Sequence, residues 1–417
     1  MIEKYILDII VFLAILTASK YTLYLISSAF YVYKKKQYLK DSEKLGPSDI
    51  AKVLKVSVIV PAWNEEIGIV DSIKSLINTN YPGLEIVVVN DGSNDNTRDV
   101  VVDFINNTFP SLNADKTLLF IDKSNGGKGS ALNHGIKAST GDVIITMDAD
   151  TIFDKDAIFE VARYFINSKL DAAVGNVKIA NSKTLLGILQ QIEYTVGFYF
   201  KRTHAVFQSE YIIGGAFGVF RKNVFTKYGY FDEDIKTEDI EYSTRLQNAG
   251  CHIFYIEDAI AYTEGPDNMK GLMKQRTRWK KGRLDTFIKH RSLFFSTNRK
   301  HKRFLTHYLL PITLFYEIEL LFEPLFTTFG LYYVITTGNY RPIIMWILFT
   351  GAIYIYTFIF GSKKNSNKAL AFTPAYFFLS YILTFVEVYA MYTSVKLLLK
   401  KQDVIWQTWQ RRGISNI

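Results

Sequence analysis

Cysteine is nearly absent. Cys251 is the single one among 417 residues, so neither a disulfide framework nor a thiolate zinc site is available. Histidine is scarce as well: the six (134, 204, 252, 290, 301, 307) show no metal-ligand spacing, and a bound metal would need carboxylates. No internal repeat or low-complexity tract is present. With 48% hydrophobic residues, the chain is too apolar to be disordered, and its length gives room for about two or three domains.

The apolar residues gather at the two ends. One stretch runs from Tyr5 to Tyr33 with only Asp8 and Lys20 as charges, a second from Phe304 to Phe360 with a break near Thr337–Pro342, a third from Ala369 to Leu399 around Glu387 and Lys396. Each reaches the roughly 20 residues that a membrane span requires. A cleaved signal peptide fits the first poorly, because its start is not basic, its apolar run is too long and no small-residue cleavage site follows. An integral, multi-pass plasma-membrane protein is expected. Lys34, Lys35, Lys36 and Lys40 follow the first stretch, which puts the middle of the chain in the cytoplasm.

Between Lys270 and Arg303 stand thirteen Lys and Arg against one acid, Asp285. That block beside an apolar segment points to anionic lipid headgroups and a phosphorylated substrate, not nucleic acid.

The middle of the chain alternates strand and helix patterns. Lys55–Pro61, Glu85–Asn90, Leu118–Asp122 and Asp142–Met147 read as strands; 64–79, with Asn64 as N-cap, 97–107 and 129–138 read as helices. An α/β domain with a mostly parallel sheet follows, with its ligand site beyond the carboxyl ends of the strands. Pro61, Asp91 and Asp148 all fall at such ends.

Several motifs lie there. Asp148-Ala-Asp150 offers two carboxylates to a divalent cation or merely a solvated turn. Asp91-Gly-Ser-Asn-Asp-Asn-Thr offers a ribose acceptor or helix caps. Gly126-Gly-Lys-Gly129 precedes a helix, where N–H groups and a lysine suit phosphate. Thr237-Glu238-Asp239 is a carboxylate cap at a helix start or a functional carboxylate, and Gln275-Arg-Thr-Arg-Trp279 a sugar-and-phosphate clamp or an interfacial anchor.

Taken in order, Pro61-Ala-Trp-Asn-Glu65, Asp91-Gly-Ser, Gly127-Lys-Gly-Ser-Ala-Leu-Asn133, Asp148-Ala-Asp150, Thr237-Glu-Asp239 and Gln275-Arg-Thr-Arg-Trp279 resemble the processive family 2 glycosyltransferases. The layout looks most like the bacterial poly-β-1,6-N-acetylglucosamine synthases and, more distantly, the hyaluronan, chitin and cellulose synthases. The resemblance implies a GT-A fold, a Rossmann-like, mostly parallel sheet in a cytoplasmic catalytic domain, flanked by transmembrane and interfacial helices. It implies an inverting polymerisation of a UDP-sugar, UDP-GlcNAc foremost, with Mg²⁺ or Mn²⁺ as cofactor and passage of the chain through the membrane. Glu65, Asp91, Lys128 and Asp148 would hold the nucleotide-sugar and Asp150 the metal. Asp239 would be the general base. Gln275, Arg278, Trp279, Gly214, Gly215 and Glu238 would serve the acceptor and diphosphate. A small membrane partner subunit is a further expectation. The other readings are a non-processive transferase acting on a lipid such as diacylglycerol or ceramide, and a non-catalytic scaffold.

The sequence departs from the family at Lys280-Lys281-Gly282, where the poly-N-acetylglucosamine synthases carry an uncharged pair, which leaves the sugar open. The tail Trp406-Gln-Thr-Trp409-Gln-Arg-Arg412 loosely resembles a hyaluronan synthase motif or is a membrane anchor. The expected parts are a span over 1–40, the catalytic domain over 50–285, basic interfacial helices over 286–324, C-terminal spans over 325–400 and a tail over 401–417. Spans near 312–336, 343–361 and 370–398 would put the C-terminus outside, whereas Lys400, Lys401, Arg411 and Arg412, with Lys363, Lys364 and Lys368 in the loop, favour the inside. Glu317, Glu319, Glu323 and Pro324 make 304–324 a poor lipid-facing helix.

Overall fold

The computed structural model describes residues 2–112, 115–166, 169–181, 183–361, 367–404 and 413–414. Its centre is an eight-stranded sheet: β1 (Val56–Ala62), β2 (Glu85–Asp91), β3 (Thr117–Lys123), β4 (Val143–Thr146), β5 (Thr151–Phe153), β6 (Ala172–Ile179), β7 (Gly218–Arg221) and β8 (Ile253–Thr263), in the order β3-β2-β1-β4-β7-β6-β8-β5. The first four strands are mutually parallel, with Val58 opposite Ile86 and Ile145. The β-branched residues of β1, β2 and β4 are buried on both faces, which is why these three read as unbroken apolar runs, whereas β3, at the edge of the sheet, is only partly covered. Beyond β4 the sheet is mixed: β7 runs antiparallel to β4 and β6, while β6 and β8 are parallel.

Twelve helices matter to the argument: α1 (Ile2–Ala29), α2 (Tyr31–Leu39), α3 (Ile69–Ile77), α4 (Thr97–Asp103), α5 (Lys128–Ala138), α6 (Leu185–Val206), α7 (Glu238–Ala249), α8 (Met269–Lys289), α9 (Leu310–Glu319), α10 (Glu323–Thr337), α11 (Arg341–Phe360) and α12 (Asn367–Leu399). Helix α5 lies close on β1 and β2 because Gly135 has no side chain; a Cβ there would strike Ile59 and Val89.

Two expectations about element ends are corrected. Asn64 is not an N-cap. It sits at φ 56, and α3 begins five residues later. The intervening turn is laced to the loop after β2: Asn94 N–H donates to Asn64 (2.8 Å), Glu65 N–H to Thr97 Oγ1 (2.8 Å) and Asn96 N–H to Glu66 (2.9 Å). Those side-chain bonds offer the backbone an alternative to a helical turn. The span expected over 312–336 is instead broken at 320–322 into α9 and α10, of 10 and 15 residues, with Pro324 in the first turn of α10.

Among the described residues, three segments are long and apolar enough to cross a membrane: Tyr5–Ser42, Arg341–Phe360 and Ala369–Leu399. The first is tied to the sheet at a bulge. Strand β8 slips register against β6 between the pairs Val174–Tyr255 and Asn176–Ile260. The Tyr31 hydroxyl fills that gap, donating to the Tyr255 carbonyl (3.0 Å) and accepting from Glu257 N–H (3.1 Å). Lys35 pairs with Asp258 alongside. Helix α6 then carries the contact outward: Ser27 meets Thr203 (2.9 Å), Ser28 meets Tyr199 (3.0 Å), and an apolar cluster joins α6 to α11 and α12 through Leu189, Ile192, Ile353 and Leu383.

Beyond α12 the chain returns toward the sheet. Gly413 N–H donates to Glu264 (3.2 Å), and Asp403 lies 3.9 Å from Lys281. Trp406, Trp409, Arg411, Arg412, Lys363 and Lys364 lie outside the described residues, as does the Lys368 side chain.

Tyr31→Phe leaves a buried C=O and N–H without their partner. It should cost about 1–3 kcal/mol of stability, read as a lowered midpoint in thermal unfolding of the detergent-solubilised protein.

Candidate active site

One cavity of about 1610 Å³ opens at the carboxyl ends of β1, β2 and β4, and its walls include all twelve residues singled out from the sequence. Strand order reverses there, β2 lying on one side of β1 and β4 on the other, so the loops diverge and leave a crevice.

Asp91, at the end of β2, is buried, and both of its carboxylate oxygens are engaged. They accept from Lys123 Nζ (2.6 Å), Gly126 N–H (3.0 Å) and Gly127 N–H (2.7 Å). The glycine N–H groups expected to meet a phosphate thus point at Asp91, and the corrected reading is a carboxylate clamp that shapes the loop before α5. Close approach of that loop also needs Gly92, at φ 64, where a Cβ would stand 2.6 Å from Asn125 N.

The clamp delivers Lys128, the first residue of α5, to the centre of the site. Its ammonium lies 2.5 Å from Asp148 and 3.5 Å from Glu238. Burial depresses the lysine, but Asp148, Glu238 and Asp239 together outweigh that and hold it above its ordinary value. Glu238 is pushed up by burial and by Asp239, against the pull of Lys128 and Arg278. Three carboxylates around one lysine favour further positive charge.

Asp150 is buried beside the start of β5, where it accepts from Thr263 Oγ1 (3.2 Å) and Thr151 Oγ1 (3.3 Å). Asp239, in the first turn of α7, accepts from Gly215 N–H (2.9 Å) and from its neighbour Ile240 N–H (2.8 Å). A Cβ on Gly215 would stand 2.5 Å from Lys128 Nζ, whereas one on Gly214 would meet open space. The Gly214-Gly215 pair therefore both orients Asp239 and leaves room for a ligand. Glu65 completes the wall nearest β1.

Helix α8 forms the opposite wall. Gln275, Arg278 and Trp279, spaced i, i+3, i+4, face the cavity together. Gln275 is buried, and its Oε1 has no hydrogen-bond partner among the described residues, which leaves it an acceptor for a ligand donor. The Arg276 guanidinium lies 4.6 Å from the Trp279 ring and braces it.

Comparison with known proteins bears on the family and the fold. Residues 57–229 match the model of glycosyl transferase family 2. A poly-β-1,6-N-acetyl-D-glucosamine synthase of Staphylococcus epidermidis is 33% identical over 269 residues, which is 64% of this chain and 63% of that relative's length. The probable glycosyltransferase YdaM of Bacillus subtilis is 32% identical over 86% of this chain and 87% of its own. Among solved structures, the mannosyltransferase PcManGT from Pyrobaculum calidifontis, in complex with GDP-Man and Mn²⁺, aligns with a TM-score of 0.55 at 19% identity, covering 92% of this chain and 99% of that one.

The chain belongs to glycosyl transferase family 2. It is a glycosyltransferase with a GT-A catalytic domain joined to apolar helices.

The basic block of this glycosyltransferase needs correction. Arg276, Lys280 and Arg283 are not a lipid-facing surface: they pair with Glu193, Glu317 and Glu387. Lys281 pairs with Asp285 (2.6 Å), and Lys289 with Asp232 (2.7 Å) and Glu241 (3.1 Å). Sequence reading saw the cations as a run because most of these partners come from elsewhere in the chain: Glu193 of α6, Asp232, Glu241 of α7, Glu317 of α9 and Glu387 of α12, with only Asp285 on α8 itself.

A second residue it missed is Gly282. A Cβ at 282 would collide with the Thr237 side chain at the start of α7. This contact fixes how closely the helix bearing Arg278 and Trp279 approaches the helix bearing Asp239. The only signal for it in the sequence was a glycine inside a helical pattern. Gly282→Ala should push the two helices apart and lower transfer by up to ~10²-fold, since misplacement of about 1 Å has that scale. Calorimetry should find donor-nucleotide binding little changed.

Proposed function

We propose that this glycosyltransferase is an inverting polymer synthase. In this reading it transfers a sugar, N-acetylglucosamine foremost, from a UDP-sugar to the end of a growing β-linked chain on the cytoplasmic side of the plasma membrane. It then passes the chain across the bilayer. The observation that carries the reading is the single cavity in which Asp239, the Lys128–Asp148 pair and the Gln275–Arg278–Trp279 face converge, and which continues between apolar helices past Tyr24, Leu309 and Tyr389. Its volume exceeds the roughly 300–1,000 Å³ of an ordinary ligand pocket, as a donor and an acceptor chain together require. The name of the Staphylococcus epidermidis relative supports the sugar.

A divalent cation, Mg²⁺ or Mn²⁺, fits the donor set. Among the described residues no group of three His, Cys, Asp or Glu forms a cage. Asp148 and Asp150 would hold it with hard oxygens, the donor type such ions take at nucleotides. The Mn²⁺ with GDP-Man in the structural neighbour accords with this. Bound there, the cation would neutralise charge on the departing diphosphate.

In this mechanism Asp239, oriented by Gly215 N–H, takes the proton from the acceptor hydroxyl. That oxygen bonds to the anomeric carbon of the donor as the bond to UDP breaks on the opposite face. Arg278 and Lys128 meet the charge on the leaving diphosphate. Glu65 and Asp91 serve the nucleotide side, Asp91 by shaping the loop that carries Lys128. Gln275 and Trp279 hold the terminal sugar, with Glu238 keeping Lys128 in place. One displacement inverts the anomeric centre, so a second carboxylate nucleophile is unnecessary.

The deciding experiment is incubation of the purified protein with Mg²⁺ or Mn²⁺ and a panel of labelled UDP-sugars, products being separated by size and by lipid extraction. A high-molecular-weight product from UDP-GlcNAc is expected; a small lipid-extractable product would replace this reading with the glycolipid transferase. Asp239→Asn should abolish transfer while UDP binding persists, and loss of UDP binding in a folded variant would remove Asp239 as base. Chelation of divalent metal should stop turnover, with recovery on adding Mn²⁺ or Mg²⁺; undiminished activity in chelator would overturn the assignment of Asp148 and Asp150.

A further inference from the structure

Helix α8 has a second functional face. About a quarter-turn round from Gln275, Arg278 and Trp279 it presents Arg276, Lys280 and Arg283, spaced i, i+4, i+7, of which Arg283 also reaches the cavity wall. Three cations there meet three carboxylates, each from a different helix. Arg276 grips Glu193 of α6 with both terminal nitrogens (2.9 and 2.6 Å) and reaches Glu387 of α12 (3.3 Å). Lys280 sits between Glu317 of α9 (2.7 Å) and Glu387 (2.9 Å), and Arg283 pairs with Glu317. Ser394 of α12 adds a hydrogen bond to the Thr277 carbonyl (3.2 Å).

These pairs are not interchangeable with surface ion pairs. Glu387 lies within an apolar helix long enough to span a membrane, where an unpaired carboxylate is strongly disfavoured. Glu317 is buried. Rotating α8 would leave both without cations, so the helix has one acceptable azimuth. Because residues 275 and 276, like 279 and 280, are adjacent on α8, that azimuth also aims Gln275 and Trp279. The link is direct as well, since Arg276 braces the Trp279 ring.

We infer that Glu387 and Glu317 are positioning residues for transfer: they hold α8 at the rotation that presents Arg278 and Trp279 to the acceptor, and so couple the apolar helices to chain elongation. The inference rests on the acceptor reading of α8. In the full-length, detergent-solubilised protein, the isosteric Glu387→Gln should lower the elongation rate by ~10-fold or more and shorten the product, as expected when a buried charge loses its partner and a site shifts by a fraction of an ångström. The KM for the UDP-sugar should stay within about two-fold, because the donor side of the cavity does not touch Glu387. Glu387→Asp, which keeps the charge, should recover much of the product length and serves as the test if the glutamine variant does not fold. Wild-type product length in Glu387→Gln, or equal losses in donor KM and elongation, would overturn the inference. Trp279→Ala measured alongside separates the two readings. If it leaves length unchanged, the acceptor role of α8 fails and the inference with it; if it shortens product while Glu387→Gln does not, the coupling alone fails.

Discussion

The Lys128 ammonium is the contact on which the site depends. It bridges an acid at the end of β4 and an acid at the start of α7, elements about ninety residues apart in sequence. Its position is set from β2, because Asp91 holds the preceding glycines. Three strand ends and two helix starts are thus drawn together by a chain of charge-assisted hydrogen bonds. Such bonds are about twice as strong as neutral ones. Burial makes each member costly to leave unpaired, so the arrangement is rigid before any ligand arrives.

The same rule of charge compensation organises the other end of the molecule. A carboxylate inside an apolar helix calls for a cation, and Glu387 finds two on α8. The block of thirteen cations is therefore partly the counter-charge of glutamates on other helices. This explains why the stretch 312–336 does not form a single helix: Glu317 is drawn to Lys280 and Arg283, and Pro324 opens a new helix beyond the break.

What the sequence made legible was local. Strands β1, β2 and β4 are β-branched runs and β3 a short apolar one, and they end at Pro, Asp or a short acidic motif, so both the strands and their ends could be read. The twelve site residues stand in short motifs whose order along the chain carries the resemblance, and they meet in one cavity. Features set by contacts between distant segments were not legible. The bulge in β8 depends on Tyr31, more than two hundred residues earlier. Gly282 owes its identity to Thr237, and Asn64 misled because its partners lie on the loop after β2. Strands β5 to β8 are short or irregular, and the mixed half of the sheet follows from long-range pairing that no local period encodes.

The departure at Lys280-Lys281 now has a physical account. In the family resemblance an uncharged pair was expected there, and the two lysines put the donor sugar in question. Neither lines the cavity. Lys280 is held by Glu317 and Glu387, and Lys281 by Asp285. Their charges are neutralised inside the protein, where they meet helices and not a sugar, so the departure bears on how α8 is anchored and says nothing about which donor is used. Discrimination between a hydroxyl and an acetamido group requires polar side chains at the sugar ring itself, since a site that hydrogen-bonds one group rejects its absence strongly. Lys280 and Lys281, which lie outside the cavity wall, are not placed to make such contacts.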